Sequence, residues 1–263
     1  MDVANVTTED SAIATEPDLH PQVRIGQYSD AGPKLHNQDA LAMQIPDGPL
    51  LRTKGIVAAL ADGLSSAGAA REAAESCVLG FINDYYATPS LWSVPRSAQR
   101  GLEALNRWLC RQTLAGESHL CTLSLLILRS RTAHLFQVGD SRIWRLRNER
   151  LECLTRDHSR MIGGDRQVLT RVMGGDTRLD VDYSRSDLQV GDVFLLTSDG
   201  VHGFLSRSRM QGIVRASGQP EMAARSLVEA ALASGSDDNL SCQVLQVDGL
   251  PDASADEALR QRG

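Results

Sequence analysis

The 263-residue sequence is poor in aromatic residues, at 4%, and holds only two lysines, Lys34 and Lys54, beside 25 arginines. Its 33 acidic residues outnumber the 27 basic ones for a net charge of -6, so no broad cationic field is available for nucleic acid or anionic lipid. Long apolar runs are also missing. The longest candidates, Ile56 to Ala61 and Leu123 to Leu128, fall far short of the roughly 18 residues of a membrane helix, and no charged-then-apolar signal segment is found. Cys77, Cys110, Cys121, Cys153 and Cys242 are odd in number and lack CxxC or Cys/His spacing, which argues against zinc and for buried thiols in a reduced compartment. The expectation is a cytoplasmic protein with no nucleic-acid partner and no membrane insertion.

What the sequence does contain is a core. At 42% apolar and 23% charged, the chain has the composition of one globular domain. Residues 1–22, rich in Thr, Asp, Glu and Pro, are expected to form a flexible lead-in; residues 23–248 the domain; and residues 249–263, opening on Gly249-Leu250-Pro251, a tail or linker. Strand-like runs at Thr122 to Leu128, Ala133 to Val138, Arg142 to Leu146 and Leu151 to Leu154 are joined by two to four residues, too few for parallel crossovers, and predict an antiparallel meander. Helical periodicity is grouped elsewhere, at Ala67 to Tyr86, Ser97 to Leu114 and Pro220 to Ala233. Separate blocks of strands and helices predict an α+β layered fold.

Apolar runs repeatedly end in aspartate followed by a small residue. Ile56 to Ala61 leads into Asp62-Gly63, Leu135 to Gly139 into Asp140-Ser141, and Val193 to Ser198 into Asp199-Gly200. Asn37-Gln38-Asp39 and Asp237-Asp238-Asn239 flank two further strand-like segments, Leu41 to Ile45 and Leu240 to Val247. Any single Asp-Gly after a strand is ordinarily a plain turn. Five such carboxylates gathered together would repel strongly without cations, and hard oxygen ligands suit Mg²⁺ or Mn²⁺. Three carboxylates and a hydroxide would balance two divalent ions, the charge arithmetic of a two-metal hydrolase.

These pieces occur in a telling order: Asn37-Gln38-Asp39, Ala61-Asp62-Gly63, Val138-Gly139-Asp140-Ser141-Arg142, Leu154-Thr155-Arg156-Asp157-His158-Ser159, Leu169-Thr170-Arg171-Val172-Met173-Gly174, Gly191-Asp192 then Ser198-Asp199-Gly200, and Asp238-Asn239. The set resembles the bacterial PPM/PP2C-type serine/threonine protein phosphatases over residues 24 to 247. The resemblance implies a four-layer αββα sandwich of two antiparallel sheets and metal-dependent hydrolysis of phosphoserine and phosphothreonine in proteins. Its cofactors would be two Mn²⁺ or Mg²⁺ ions with a third, weaker one. Carried over, Asp62, Asp199 and Asp238 are catalytic metal ligands, Asp62 bridging two ions, and Gly63 offers its carbonyl to one. Asp39 orients metal-bound water, and Asp140 joins Asp199 at the third ion. Attack in line by hydroxide would need no phosphoenzyme. Phosphoprotein substrates and a cognate Ser/Thr kinase are the implied partners; the Lys-x-x-Asn-Gln-Asp variant is similar to a subgroup with a kinase domain fused after the phosphatase.

Four departures stand out. Lys34 replaces the phosphate-binding arginine, keeping the charge without the bidentate fork, and Gln38 replaces an acidic residue. Leu64-Ser65-Ser66 follows Asp62-Gly63, and Leu64 cannot protonate a leaving group. Only Arg160 to Val168 stands where relatives carry a longer flap. Lys34 and Gln38 keep open the alternative of a pseudophosphatase or phosphoprotein-binding regulatory module with weakened catalysis; a two-metal phosphodiesterase is a further rival that no motif favours. His158 is read as organising a local turn, Thr122 as a structural hydroxyl, His36 as a solvated loop residue and His202 as ambiguous. Arg142, Arg145 and Arg147 read as an exposed, solvated pattern, part of which could contact an acidic phosphopeptide, and Trp92, Trp108 and Trp144 as packing or surface anchors.

Overall fold

The computed structural model describes residues 20–64, 69–116, 118–163 and 166–252. Most of the expected lead-in and tail, the start of the first predicted helix, and Ser65 and Ser66 lie outside the described residues. One five-stranded sheet has the order β1 (Gln22–Asp30), β12 (Leu240–Gly249), β11 (Val193–Thr197), β6 (Arg142–Arg147) and β7 (Arg150–Cys153). The other runs β10 (Asp182–Asp187), β5 (Thr132–Val138), β4 (Leu123–Arg129), β3 (Ile56–Asp62) and β2 (Asp39–Gln44). Every pairing is antiparallel, including a separate hairpin of β8 (Ser159–Ile162) and β9 (Arg166–Leu169).

The sheets face each other and helices cover both outer faces, giving the four layers. Period-two alternation shows why. In β3, Val57, Ala59 and Ala61 pack against α2 (Ala69–Ala87) and α3 (Val94–Leu114), while Ile56, Ala58 and Leu60 pack between the sheets with Phe194, Leu196 and Leu245. Burial on both faces is why this strand reads as a continuous apolar run. On the opposite side, α5 (Arg207–Ser217) and α6 (Pro220–Ala233) lay Met210, Ala224, Leu227 and Val228 over Leu195, Cys242 and Val244. All five cysteines are free, and no described helix is long and apolar enough to cross a membrane.

The structure corrects the meander. β5 and β6 are not paired; they belong to different sheets, and Gly139-Asp140-Ser141 arches from one to the other. A short connector can span stacked sheets because they lie only about 10 Å apart. Gly139 makes the arch possible: its φ is +103°, and a Cβ there would sit 2.5 Å from Thr122 Cγ2. A second correction concerns the arginines. Arg142 binds Asp157 through two bonds of 2.9 and 2.7 Å, Arg147 binds the fully buried Asp192 through two of 2.6 Å, and Arg145 pairs with Glu152. They are half-buried ion pairs because their strand lies inside its sheet, paired on both sides by β11 and β7, where Asp157, Asp192 and Glu152 meet the guanidinium groups in place of open solvent. The segments hidden from periodicity are short or exposed: α1 (Gly48–Lys54), the β8–β9 hairpin and β10, whose Asp-Tyr-Ser-Arg-Ser-Asp carries no apolar alternation.

Candidate active site

One end of the sandwich collects the aspartates. β3 ends at Asp62 and β2 begins at Asp39, and the two are direct cross-strand partners. β11 ends just before Ser198 and Asp199, the latter opening the short helix α4 (Asp199–His202); Asp238 and Asn239 immediately precede β12. The arch between β5 and β6 adds Asp140 at the same end. Ends of strands from both sheets therefore present Asp39, Asp62, Asp140, Asp199 and Asp238 toward one region.

Hydrogen bonds fix each of these residues. Thr122 grips Asp62 on both sides: its N–H donates to the Asp62 carbonyl at 2.8 Å, and its hydroxyl accepts from the Asp62 N–H at 3.0 Å. That hydroxyl lies 3.0 Å from Ser141 Oγ, tying the β3 end to the arch. Gly63 turns against α2, where a Cβ would collide with the Ala70 carbonyl. Asn239, buried at 2% exposure, clamps the loop before β2: its Oδ1 accepts from Gln38 N–H at 2.9 Å, and its Nδ2 donates to the carbonyls of Ala31 at 2.9 Å and His36 at 3.0 Å. The clamp carries Lys34 to Asp238, with which it forms an ion pair.

The electrostatics point to missing positive charge. Burial, with the charges of Asp199 and Asp238, pushes Asp39 up to about 6 against hydrogen bonds from Ser241 and Ser198 that hold it down. Burial and Asp199 likewise raise Asp140 to about 6. Asp62 is pushed well above the carboxylate range by burial and then by Asp39, Asp199, Asp238 and Asp140, and Asp199 is raised by burial and Asp238. Burial pulls the Lys34 ammonium down, yet its bond to Asp238 and the nearby Asp62 and Asp199 carry it net upward. Asp39 Oδ2 and Asp199 Oδ1 are buried with no hydrogen-bond partner. Among the described residues, no three His, Cys, Asp or Glu side chains converge as a finished ligand set for one ion. The arrangement is a carboxylate field with orphaned oxygens, and it fits divalent cations by charge and donor type.

His158 sits behind this field. Its N–H donates to the Gly139 carbonyl at 2.9 Å, and its Nδ1 accepts from the Gly139 N–H at 3.2 Å. With Nδ1 accepting, Nε2 carries the proton and faces Asp182 Oδ2 at 3.1 Å. Asp182 also accepts from Arg171 Nη1 at 2.6 Å. The turn role read for His158 is thus a clasp on the Asp140 arch. Asp182 was invisible in sequence because it lies on an apolar-poor edge strand; Ser198 and Ser241 beside Asp39 gave no signal apart from their neighbours. His36 is exposed, as expected of a loop residue. His202 is buried, with Nδ1 at 2.9 Å from Thr197 Oγ1 and its pKa lowered to about 3 by burial, which makes it a packing residue. Trp144, also buried, donates to the same Thr197 hydroxyl at 3.0 Å.

Comparison with known proteins identifies the family and the fold. The sequence model of protein phosphatase 2C matches residues 27–235. Protein phosphatase PhpP of Streptococcus pneumoniae is 29% identical over 108 residues, covering 35% of this chain and 44% of the relative, so the chain spans less than half of that protein's length. The solved structure of PppA, described as a key regulatory component of T6SS in Pseudomonas aeruginosa, is 27% identical with a TM-score of 0.73, covering 87% of this chain and 99% of that one. The catalytic domain of the serine/threonine protein phosphatase PstP, in complex with two manganese ions, superposes with a TM-score of 0.72 at 22% identity, covering 86% and 99%. With most of its length, residues 27–235, under one family model, the chain belongs to the protein phosphatase 2C family.

Proposed function

We propose that this protein hydrolyses phosphoserine and phosphothreonine in phosphoproteins at a binuclear Mn²⁺ or Mg²⁺ site. The observation that carries the reading is the buried carboxylate field, with raised pKa values and the orphaned Asp39 Oδ2 and Asp199 Oδ1. Asp62 would be shared by two ions, with Gly63 adding its carbonyl; Asp199 and Asp238 would hold the second, and Asp140 with Asp199 a third. When bound, the ions would neutralise phosphoryl oxygens and acidify the attacking water. The chain's own part is positioning. Thr122 holds Asp62, Asn239 holds the Asp238 turn against the Lys34 loop, and Asp39, fixed by Ser198 and Ser241, can orient a water by its free oxygen. Lys34, at the more exposed rim, is placed to draw the substrate phosphate toward the carboxylates. Leu64 is 37% exposed and offers no proton, so the leaving alkoxide would take its proton from water or another group.

The test is phosphate release from p-nitrophenyl phosphate and a phosphothreonine peptide with Mn²⁺, with EDTA, and in Asp62→Asn and Asp199→Asn. Loss in all three conditions is expected; activity surviving chelation and both substitutions sinks the metal mechanism. The Lys34–Asp238 pair favours a second reading, a phosphoprotein-binding module, because a lysine already neutralises one proposed ligand. That reading predicts phosphopeptide binding by calorimetry with no turnover at saturating Mn²⁺. A cytoplasmic location and a partner kinase complete the proposal.

A further inference from the structure

We infer that the free edge of β10 is a docking site for an extended protein segment carrying a basic and an acidic side chain an odd number of residues apart. This site borders the Asp182–His158 clasp behind the carboxylates but does not depend on the hydrolytic reading.

β10 ends its sheet and, among the described residues, pairs only with β5. The Leu188 N–H donates to the Arg131 carbonyl at 2.9 Å, so by antiparallel alternation Ser186, Ser184 and Asp182 turn their backbone groups toward β5. Tyr183, Arg185 and Asp187 therefore turn theirs outward. Arg147 Nη2 covers the Asp187 carbonyl at 2.8 Å, leaving Tyr183 and Arg185 as the open stretch among the described residues. Such an edge is a template for an added strand.

Two cavities flank this one strand and share Val181 and Tyr183 in their linings. On the helix side, about 290 Å³ lies between β10 and α3, walled by Leu102, Phe136 and Tyr183, with Glu103 and Asp180 at its margin. The Phe136 and Tyr183 rings stack at 4.9 Å, a surface for the stem and charge of an arginine or lysine. Asp180 is engaged by Arg171 at 2.9 Å, so Glu103 is the carboxylate left to meet that charge. On the sandwich side, about 520 Å³ is lined by Leu154, Thr155, Ser184, Asp182 and Arg156. Asp182 is held by Arg171 and His158, whereas Arg156 is exposed and without an ion-pair partner among the described residues. That side suits a carboxylate. Consecutive residues of an added strand point to opposite faces, so one basic and one acidic residue at odd separation fill both cavities at once. Docking of this kind would select which protein is presented to the carboxylates.

The test uses two labelled, capped nine-residue peptides of threonine and valine, one with arginine and glutamate adjacent and one with them two positions apart. Anisotropy with the full-length protein should show the adjacent peptide binding at least about tenfold tighter. Glu103→Gln and Arg156→Gln should each weaken it by about tenfold, with p-nitrophenyl phosphate turnover of Glu103→Gln unchanged. Arg185→Pro should abolish binding while sparing the β5 ladder, since the lost N–H faces outward. Equal binding of the two peptides, binding of neither, or full binding by Arg185→Pro overturns the proposal. If Arg185→Pro fails to fold, the peptide pair on the wild type and Glu103→Gln decides. A concentration-dependent dimer abolished by Arg185→Pro assigns the edge to a second copy and also overturns it.

Discussion

The two lysines of this chain stand at opposite ends of β3 and live by opposite rules. Lys34, near the Asp62 end, is half-exposed, pairs with Asp238, and has its pKa raised by the surrounding carboxylates. Lys54, two residues before β3 begins, is fully buried. No carboxylate among the described residues meets it; its ammonium donates to Thr88 Oγ1 at 2.7 Å, the Pro89 carbonyl at 2.8 Å and Ser97 Oγ at 2.7 Å, and burial with Arg129 lowers its pKa to about 8. Three donors meeting three neutral oxygens satisfy geometry without compensating charge. The closed end of the sandwich uses its lysine to join α1 to the α2–α3 connection. The open end uses its lysine against an excess of negative charge, where the same cation is stabilised and left within reach of solutes.

The comparison can be sharpened in order of effect. Asp62→Asn at the open end should lower Mn²⁺-dependent turnover by about 10³-fold or more while leaving the urea midpoint nearly unchanged. Lys54→Ala should do the reverse, destabilising the fold by about 2–4 kcal/mol in urea titrations through a cavity and orphaned oxygens, with KM unmoved. Lys34→Ala should raise KM for a phosphopeptide by about tenfold, yet change stability by under about 1 kcal/mol, as for exposed pairs. If it destabilises as much as Lys54→Ala, the contrast between the two ends is broken. Lys34→Arg should lower KM by about two- to threefold, because a fork holds phosphate better than a point charge; an increase would count against phosphate contact.

The pH dependence separates them as well. The folded pKa of Lys54 lies below its unfolded value of 10.5, so between about 8 and 10.5 the unfolded chain binds more protons and stability rises with pH. Wild type minus Lys54→Ala, measured by urea unfolding across that window, should show this slope; a flat difference would mean the ammonium is not held in a neutral pocket. His134 offers the acid counterpart. Burial lowers it to about 4, so the stability of its neutral form is present above about 6.5 and is lost as pH falls toward 4. His134→Asn should flatten that acid limb.

Much of the site was legible because strand ends leave a mark: an apolar run that stops at Asp-Gly or Asp-Ser is local in the chain, and Asp62, Asp140 and Asp199 could be found that way. β3 and β4, buried on both faces, were equally plain. Asp182 was not, because its strand is an exposed edge whose residues answer to no burial pattern. The arginines of β6 misled for a related reason, since alternation marks two faces without saying whether the polar one meets water or carboxylates such as Asp157 and Asp192.

The sequence by itself determined the separate grouping of helices and strands and the set of aspartates, since these follow from hydrophobic period and local turn chemistry, while the four layers came from the family resemblance. Only the tertiary structure decided that β5 and β6 part into different sheets, that Lys34 reaches Asp238 and Lys54 reaches no acid, and that His158 clasps Gly139. Those outcomes depend on residues far apart in the chain meeting across the sandwich. Period-two and period-3.6 patterns say which side of an element is buried, and the packing of whole elements says against what.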